Sequence, residues 1–317
     1  MSGKAHDRVL LSATGMDVAD WLPILTERRE TVTEPDGAGD PTITYAVVWK
    51  QPEGILAALP NLKAIFSIGA GVDHVLSDQT LPANVPIVRV VNDNLSQHMI
   101  EYVVWRVLDH HRQATEYREQ QSARIWQPLP QVTSDEVTVG IMGFGALGEA
   151  VGEKLVAIGF SVHGWSRNPR HHEQVVCHAG SGGLENFLAA TDILVVLLPL
   201  TEGTAGIVSY ELLSGLKKDG PLGGPVLINA GRGGLQNEAD ILRALNEGML
   251  KEASLDVFET EPLPKTSPLW VHPRIFLTPH AAAESDPKFL IPPMLDQMDA
   301  HDRGEPLKNL VDRNAGY

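Results

Sequence analysis

The segment Val137-Thr-Val-Gly-Ile-Met-Gly-Phe-Gly-Ala-Leu-Gly148 constrains this chain more than any other. An apolar, β-branched run leads into Gly143, Gly145 and Gly148, and helix formers follow from Glu149 to Ile158. That spacing, G-x-G-x-x-G between a strand and a helix, is what a βα turn needs in order to receive a dinucleotide. Gly143 would permit the sharp turn, Gly145 would let backbone N–H groups approach a pyrophosphate, and Gly148 would let helix and strand pack closely. The phosphates would then lie at a helix N-terminus, where unpaired N–H groups and the helix dipole favour an anion. With 29 glycines in 317 residues chance matches are common, and a plain turn in some other α/β protein is the competing reading. Context favours the nucleotide, because Gly159 supplies a helix stop and Phe160-Ser-Val-His-Gly-Trp165 resumes as a strand, completing a βαβ unit.

The chain is long enough for two domains, each with its own core. A net charge of −15 excludes an extended basic face for nucleic acid or an anionic membrane. The one cysteine, Cys177, excludes an internal disulfide framework and fits a reducing compartment. Met1 to Arg8 lacks the apolar core of a secretory signal, and the longest apolar run, Ile193 to Leu198, is too short to span a bilayer. These points lead us to expect a cytoplasmic protein.

Ahead of the glycine turn, strands are expected at Arg8–Ala13, Ile43–Trp49, Leu62–Ile68 and Pro86–Val91. Helices are expected over Met16–Arg29, near Glu53–Ala58, and from Ser96 to about Gln120, with a loop at Glu34–Pro41. Such alternation favours a parallel sheet. Gly69-Ala-Gly-Val-Asp73 follows the third strand and is either an anion nest or a turn with no ligand. From Val137 onward six strands are readable, ending with Asp192–Leu198, Val226–Asn229, Ala253–Val257 and Ile275–Thr278, the number in a complete doubly wound dinucleotide domain. The tail from about Pro287 has helical spacing interrupted at Pro292-Pro293.

At the end of the second strand of a dinucleotide domain a carboxylate selects NAD by accepting from the ribose 2′-hydroxyl. This chain has Trp165-Ser-Arg-Asn-Pro-Arg170 there instead. Arg167 would pair with a 2′-phosphate and Ser166 would donate to it, so NADPH is expected over NADH; solvated loop cations are the bland alternative. Three further stretches lie at strand ends: Asn229-Ala-Gly-Arg-Gly233, Leu255-Asp-Val-Phe-Glu-Thr-Glu-Pro-Leu-Pro264 and Thr278-Pro-His-Ala-Ala-Ala283. They offer Arg232, Glu261 and His280, a set suited to reducing a 2-oxo acid. Arg232 would bind the carboxylate and polarise the ketone, His280 would protonate the forming alkoxide, and Glu261 would orient His280. His110-His111 and His171-His172 with Cys177-His178 lack the spacing of a closed four-ligand zinc site, so surface or helix-face histidines are expected and no metal.

These motifs together resemble the D-2-hydroxyacid dehydrogenases, from about Ala46 to the end of the chain. Val48-Trp49, Ser67 to Asp73, Trp126-Gln-Pro-Leu-Pro130, Gly140 to Gly143, Trp165-Ser-Arg167 and the tail Val311 to Tyr317 narrow the resemblance to members that reduce glyoxylate and hydroxypyruvate. The resemblance implies an α/β chain with a doubly wound Rossmann cofactor domain over 98–286 and a smaller flavodoxin-like substrate domain over 1–97 and 287–317. It implies a homodimer whose first domain closes over NADPH held by the second. Arg232, Glu261 and His280 would be catalytic. Trp49, Ala70, Gly71 and Val72 would bind substrate, the last three through backbone groups. The cofactor would lie along Gly143, Gly145, Ala146, Leu147, Gly148, Ser166, Arg167, Leu198, Pro199, Ala230, Gly231, Arg232, Asp256 and His280, with Asp256 on the nicotinamide amide. His98 and the run Ala281 to Glu284 depart from the family pattern, which bears on substrate preference. A dehydrogenase for a bulkier 2-oxo acid and a non-catalytic NADPH-sensing protein on the same fold are the alternatives.

Overall fold

Strands and helices alternate along much of the chain, and each run of strands builds a parallel sheet of its own. The computed structural model describes residues 7–34 and 39–316. Of the segment Met1 to Arg8 only Asp7 and Arg8, and of the expected loop only Glu34 and residues 39–41, fall within the described residues. The chain divides into two compact units, residues 1–95 with 284–317 and residues 96–283.

In the first unit β1 (Arg8–Ala13), α1 (Trp21–Thr26), β2 (Thr31–Val32), β3 (Ile43–Trp49), β4 (Ala64–Ser67), α2 (Asp73–Leu76) and β5 (Ile87–Val88) form a five-stranded sheet of order β2-β1-β3-β4-β5. All its strands are parallel, and the order is that of a flavodoxin-like sheet. β3 is buried from Ile43 to Val48, as a strand covered on both faces must be. Two sequence expectations are corrected here. The helix expected over 16–29 is confined to Trp21–Thr26, since Gly15 adopts φ 75° and the chain bends before it. The segment 53–58 turns without forming a helix, because Gly54 takes φ 82° behind Pro52.

The second unit begins along α3 (Asp93–His111) and α4 (Ala114–Ala123). We expected one helix to Gln120; Gln113, at φ 56°, breaks it in two. There follow β6 (Thr138–Met142), α5 (Ala146–Ile158), β7 (Ser161–Ser166), β8 (Val176–Ala179), α6 (Gly180–Ala190), β9 (Ile193–Val196), α7 (Tyr210–Ser214), β10 (Val226–Asn229), α8 (Glu238–Asn246), β11 (Glu252–Leu255) and β12 (Ile275–Leu277). The sheet order is β12-β11-β10-β9-β6-β7-β8, all parallel, a doubly wound arrangement that reverses between β6 and β9. It has seven strands, not the six read from sequence, because Val176-Cys-His-Ala adds an edge strand to β7. Apolar clusters lie on both sheet faces, one around Val139, Ile141, Phe144 and Val195, the other around Met142, Leu194, Val196 and Ile241.

The chain returns to the first unit as α9 (Pro287–Asp302), whose Leu290, Ile291, Met294, Leu295 and Met298 join the core of β1, β3 and β4. Its acidic face pairs with basic residues of that unit: Asp296 with Arg28 at 2.7 Å, Asp299 with Arg28 and Arg29, and Asp302 with Arg29 at 2.7 Å and Lys63 at 2.9 Å. Contrary to expectation, Pro292 and Pro293 lie inside this helix without interrupting it. Pro293 cannot donate to the Phe289 carbonyl four residues back, and Asn92 Nδ2 donates to that carbonyl instead at 3.0 Å. Among the described residues no helix is long and apolar enough to cross a membrane.

Candidate active site

Parallel strands in register bring every chemical stretch of the second unit to one edge. Met142 pairs with Trp165 and Val196, Asn229 with Val196 and Leu255, and Leu255 with Leu277. The segments that follow these strand ends all leave the carboxyl edge, where open α/β sheets bind ligands.

At the switch point, Gly143 takes φ 109°, and a Cβ there would lie 2.7 Å from the Leu197 carbonyl and 2.8 Å from Leu198 N. A side chain at Gly148 would lie 2.4 Å from the Gly143 oxygen. Gly145 differs: it caps α5 with extended backbone, and a Cβ there would meet nothing within 4 Å. Two of the three glycines are therefore demanded by the protein's own packing, while Gly145 opens onto space before a helix N-terminus. Ala146 beside it is exposed and Leu147 half-buried. Leu198, Ala230 and Gly231 are buried, Pro199 is half-buried, and Thr204 Oγ1 donates to the Pro199 carbonyl at 2.7 Å.

At the end of β7, Arg167 is exposed and Arg170 lies 3.6 Å from Glu149. The Ser166 hydroxyl donates to the Asn168 carbonyl at 2.8 Å, so it would have to rotate to donate to a phosphate. No carboxylate occupies residues 165–170.

After β10, Asn229 shapes the loop that carries Arg232. Its Oδ1 accepts from Gly231 N at 3.0 Å, and its Nδ2 donates to Gln236 Oε1 at 2.8 Å and to the Arg232 carbonyl at 3.2 Å. Gln236 in turn donates to the Val257 carbonyl at 2.9 Å. Arg232 is half-buried, and its Nη1 donates to the Gly231 carbonyl at 2.9 Å.

Glu261 and His280 come together. The imidazole Nδ1 lies 2.9 Å from Glu261 Oε2 and 3.1 Å from Oε1, and Oε1 also accepts from Phe258 N at 3.2 Å. Nδ1 bonded to a carboxylate carries a proton, which leaves Nε2 as the nitrogen available for chemistry. His280 itself sits at φ 53°, a region that non-glycine residues seldom adopt.

What holds it there is Asp256, a residue to which the resemblance gave only a cofactor contact. Its carboxylate is 1% exposed and accepts from Thr278 Oγ1 at 2.7 Å, Ala281 N at 2.8 Å and Ala282 N at 3.0 Å. Its backbone carbonyl accepts from His280 N at 2.7 Å. Tyr102 completes the cluster, 2.8 Å from Thr278 Oγ1; burial, with the Asp256 charge adding, pushes its phenol up to about 12, so it stays a donor. The legible signal for Asn229 was a polar residue closing an otherwise apolar buried strand, which requires hydrogen-bond partners; Asp256 follows a strand that already buries Glu252 and Ser254 and carries no such mark.

In the first unit, Ala70, Gly71 and Val72 form the loop between β4 and α2, with Ala70 exposed and Val72 buried. Trp49 ends the adjacent strand, half-buried. His98 is half-buried on α3, and Glu284 is exposed.

Of the histidines expected on the surface or on helix faces, His171 is exposed and His172 half-buried, while the two on α3 point inward. His110 and His111 are buried, His110 between Glu252 at 2.5 Å and Ser254 at 2.7 Å. His178 lies on β8 with Nε2 3.2 Å from His163 Nδ1, and burial holds both below the ordinary imidazole range. Burial likewise pushes the Cys177 thiol up. Among the described residues no group of three or more His, Cys, Asp or Glu is arranged to hold a metal ion.

A doubly wound sheet with a glycine turn at its switch point and a carboxylate-bound histidine at its edge has the form of a nicotinamide oxidoreductase. The model of the D-isomer specific 2-hydroxyacid dehydrogenase NAD-binding domain matches residues 104–282, and this chain belongs to that family of enzymes. It is 41% identical over 308 residues to glyoxylate/hydroxypyruvate reductase A of Yersinia enterocolitica, covering 95% of this chain and 97% of that one. Among solved structures it is similar to an NADPH-dependent glyoxylate/hydroxypyruvate reductase from Sinorhizobium meliloti in complex with NADP and sulfate, with a TM-score of 0.93, 43% identity and coverage of 98% and 100%. A D-isomer specific 2-hydroxyacid dehydrogenase from Xanthobacter autotrophicus, in complex with NADPH and MES, matches with a TM-score of 0.91, 36% identity and the same coverage.

Proposed function

We propose that this chain catalyses NADPH-dependent reduction of a small 2-oxo acid, glyoxylate or hydroxypyruvate, to the 2-hydroxy acid. The observation that carries the reading is His280, held by Glu261 at the carboxyl edge of a sheet whose glycine turn opens at Gly145. The residues fit the cofactor. Gly145 leaves room for a pyrophosphate at the N-terminus of α5, and Arg167, with Ser166, meets a 2′-phosphate where no carboxylate repels it. Leu198, Pro199, Ala230 and Gly231 flank the same edge. Asp256 has about four acceptor positions, of which three are used, and the fourth suits the nicotinamide amide.

NADPH, when bound, supplies a hydride to the ketone carbon. Arg232 binds the substrate carboxylate and polarises the ketone, and the backbone N–H groups of Ala70, Gly71 and Val72 also meet the carboxylate. His280, protonated and oriented through Nδ1 by Glu261, gives its Nε2 proton to the oxygen as negative charge develops there. Trp49 limits the size of the acid. The working form is a homodimer, a reading supported by Trp126, wholly exposed, and Ile125, half exposed, on one segment of the second unit. Sedimentation showing a monomer would remove that part.

Steady-state assays with NADPH and NADH against a series of 2-oxo acids test the reading. We expect the highest kcat/KM with NADPH and glyoxylate or hydroxypyruvate. An enzyme that prefers branched or aromatic 2-oxo acids would refute the substrate assignment.

A further inference from the structure

We propose that His74, acting through Ser67, is a positioning residue for the loop 69–72, and that it sets the enzyme's affinity for the substrate carboxylate. The inference rests on the reading above, in which that loop receives the carboxylate.

β3 and β4 are neighbours with Val48 opposite Ser67, so Trp49 and the loop after Ser67 leave the sheet side by side. The Trp49 indole lies directly against Gly69, where a Cβ would sit 2.5 Å from Cζ3. The indole also meets the His74 ring, with centroids 4.2 Å apart and planes tilted by 46°. His74 is 9% exposed, and its Nε2 lies 3.4 Å from the wholly buried Ser67 hydroxyl. That hydroxyl is 3.0 Å from the Gly69 carbonyl and 3.5 Å from the Gly71 carbonyl.

The protons can be assigned from these distances. A carbonyl only accepts, so the one Ser67 proton goes to Gly69, with Gly71 as the longer alternative. His74 must then be the donor, Nε2–H to Ser67 Oγ. The chain His74 to Ser67 to Gly69 draws loop carbonyls inward. In a trans peptide the N–H points opposite to the C=O, so inward carbonyls of Gly69 and Gly71 turn the N–H groups of Ala70 and Val72 outward. Those are two of the three residues assigned to the carboxylate. The motif Gly69 to Asp73 therefore owes its aim to a histidine one residue beyond it, with Trp49 clamping both from the side.

The test compares wild type with His74→Leu, Ser67→Ala and His74→Gln, measuring kcat, KM for glyoxylate and hydroxypyruvate, KM for NADPH, and thermal midpoint. Leucine keeps bulk without a donor, and glutamine restores an N–H at a similar reach. We expect His74→Leu and Ser67→Ala each to raise KM for both acids by about tenfold, the equivalent of about 1.4 kcal/mol. NADPH KM should stay unchanged, kcat should change less than twofold, the double variant should be no worse than either single one, and His74→Gln should recover most of the affinity. An unchanged 2-oxo acid KM in a folded His74→Leu overturns the proposal, as does a loss that falls equally on NADPH KM. A factor that depends on acid size would assign His74 to the pocket wall instead. A wild-type enzyme that oxidises NADPH with no 2-oxo acid overturns the functional reading and this inference together. An active wild type with an indifferent His74→Leu overturns the inference alone.

Discussion

The same substitution, glycine to alanine, should have opposite consequences two residues apart in the glycine turn. At Gly143 a methyl group meets backbone, 2.7 Å from the Leu197 carbonyl, and φ of 109° is strained for any L side chain. The left-handed conformation costs about 1–2 kcal/mol and overpacking against fixed backbone about 1–3 kcal/mol more. At Gly145 backbone is extended and a Cβ meets nothing within 4 Å, so the folded state loses no contact. Alanine there should even add about 0.4–1 kcal/mol by restricting the unfolded chain. Only a ligand would feel the methyl group. A unit the size of residues 96–283 shifts by about 2–4 °C per kcal/mol. Gly143→Ala should therefore lower the thermal midpoint by about 4–20 °C. Gly145→Ala should leave it unchanged or slightly raised while weakening NADPH by about tenfold or more, a loss of about 1.4 kcal/mol. Thermal melts with and without NADPH read both effects at once, because bound cofactor raises the midpoint by an amount that grows with the logarithm of its affinity. Gly145→Ala with a wild-type NADPH shift, or Gly143→Ala with a wild-type midpoint, would refute the division of labour between the two glycines.

Other consequences are as direct. Replacing Arg167 by Ala should raise NADPH KM by one to two orders of magnitude, about 1.5–3 kcal/mol for a charge-assisted contact, and leave NADH nearly untouched; equal losses with both cofactors would show that Arg167 does not meet the 2′-phosphate. Glu261→Gln removes the carboxylate that accepts from His280 Nδ1, so the imidazole loses its fixed orientation and kcat should fall by about 10²–10⁴ with little change in NADPH KM; an unchanged kcat would count against the pairing. Asp256→Asn presents an N–H₂ group to one of its three donors, orphaning a buried N–H at about 1–3 kcal/mol, and should lower both thermal midpoint and kcat as the loop bearing His280 relaxes; a variant normal in both would show that Asp256 does not hold the loop. Burial would raise the Asp302 carboxyl, but hydrogen bonds from Lys63, Arg29 and Tyr45 outweigh it and hold the group at about 2. Its stabilisation is thus complete above its unfolded value of about 3.9 and is lost as pH falls towards 2, so the midpoint deficit of Asp302→Asn should be constant above about pH 5 and shrink below it; a deficit that grows in acid would reverse the sign.

The doubly wound unit was legible because its period changes from two to about 3.6 at Gly143 and back at Phe160, with Gly143 and Gly159, both at positive φ, marking the two changes. The parts that escaped have no such local mark. β8 is four residues long at a sheet edge and is recognisable only once β7 is there to pair with it. The break between α3 and α4 rests on Gln113, a residue with no preference for the conformation it adopts. Pro292-Pro293 read as an interruption because the carbonyl they orphan is repaired by Asn92, almost 200 positions away in sequence. The same holds for chemistry. Arg232, Glu261 and His280 were readable as residue types at strand ends, but the support beneath His280, from Asp256 to Thr278 and Tyr102, exists only where β11, β12 and α3 meet. His110 was indistinguishable from a solvated helix residue until Glu252 was found beside it in the interior.

The central claim is that the glycine turn and the histidine pair serve one reaction, transfer of a hydride from NADPH to a small 2-oxo acid. The most direct measurement mixes the purified protein with NADPH and hydroxypyruvate or glyoxylate and follows cofactor and product together. The account predicts one glycerate or glycolate formed for each NADPH oxidised, with kcat abolished or lowered at least about a hundredfold in His280→Ala while NADPH still binds. NADPH binding with no oxidation by any small 2-oxo acid would contradict it.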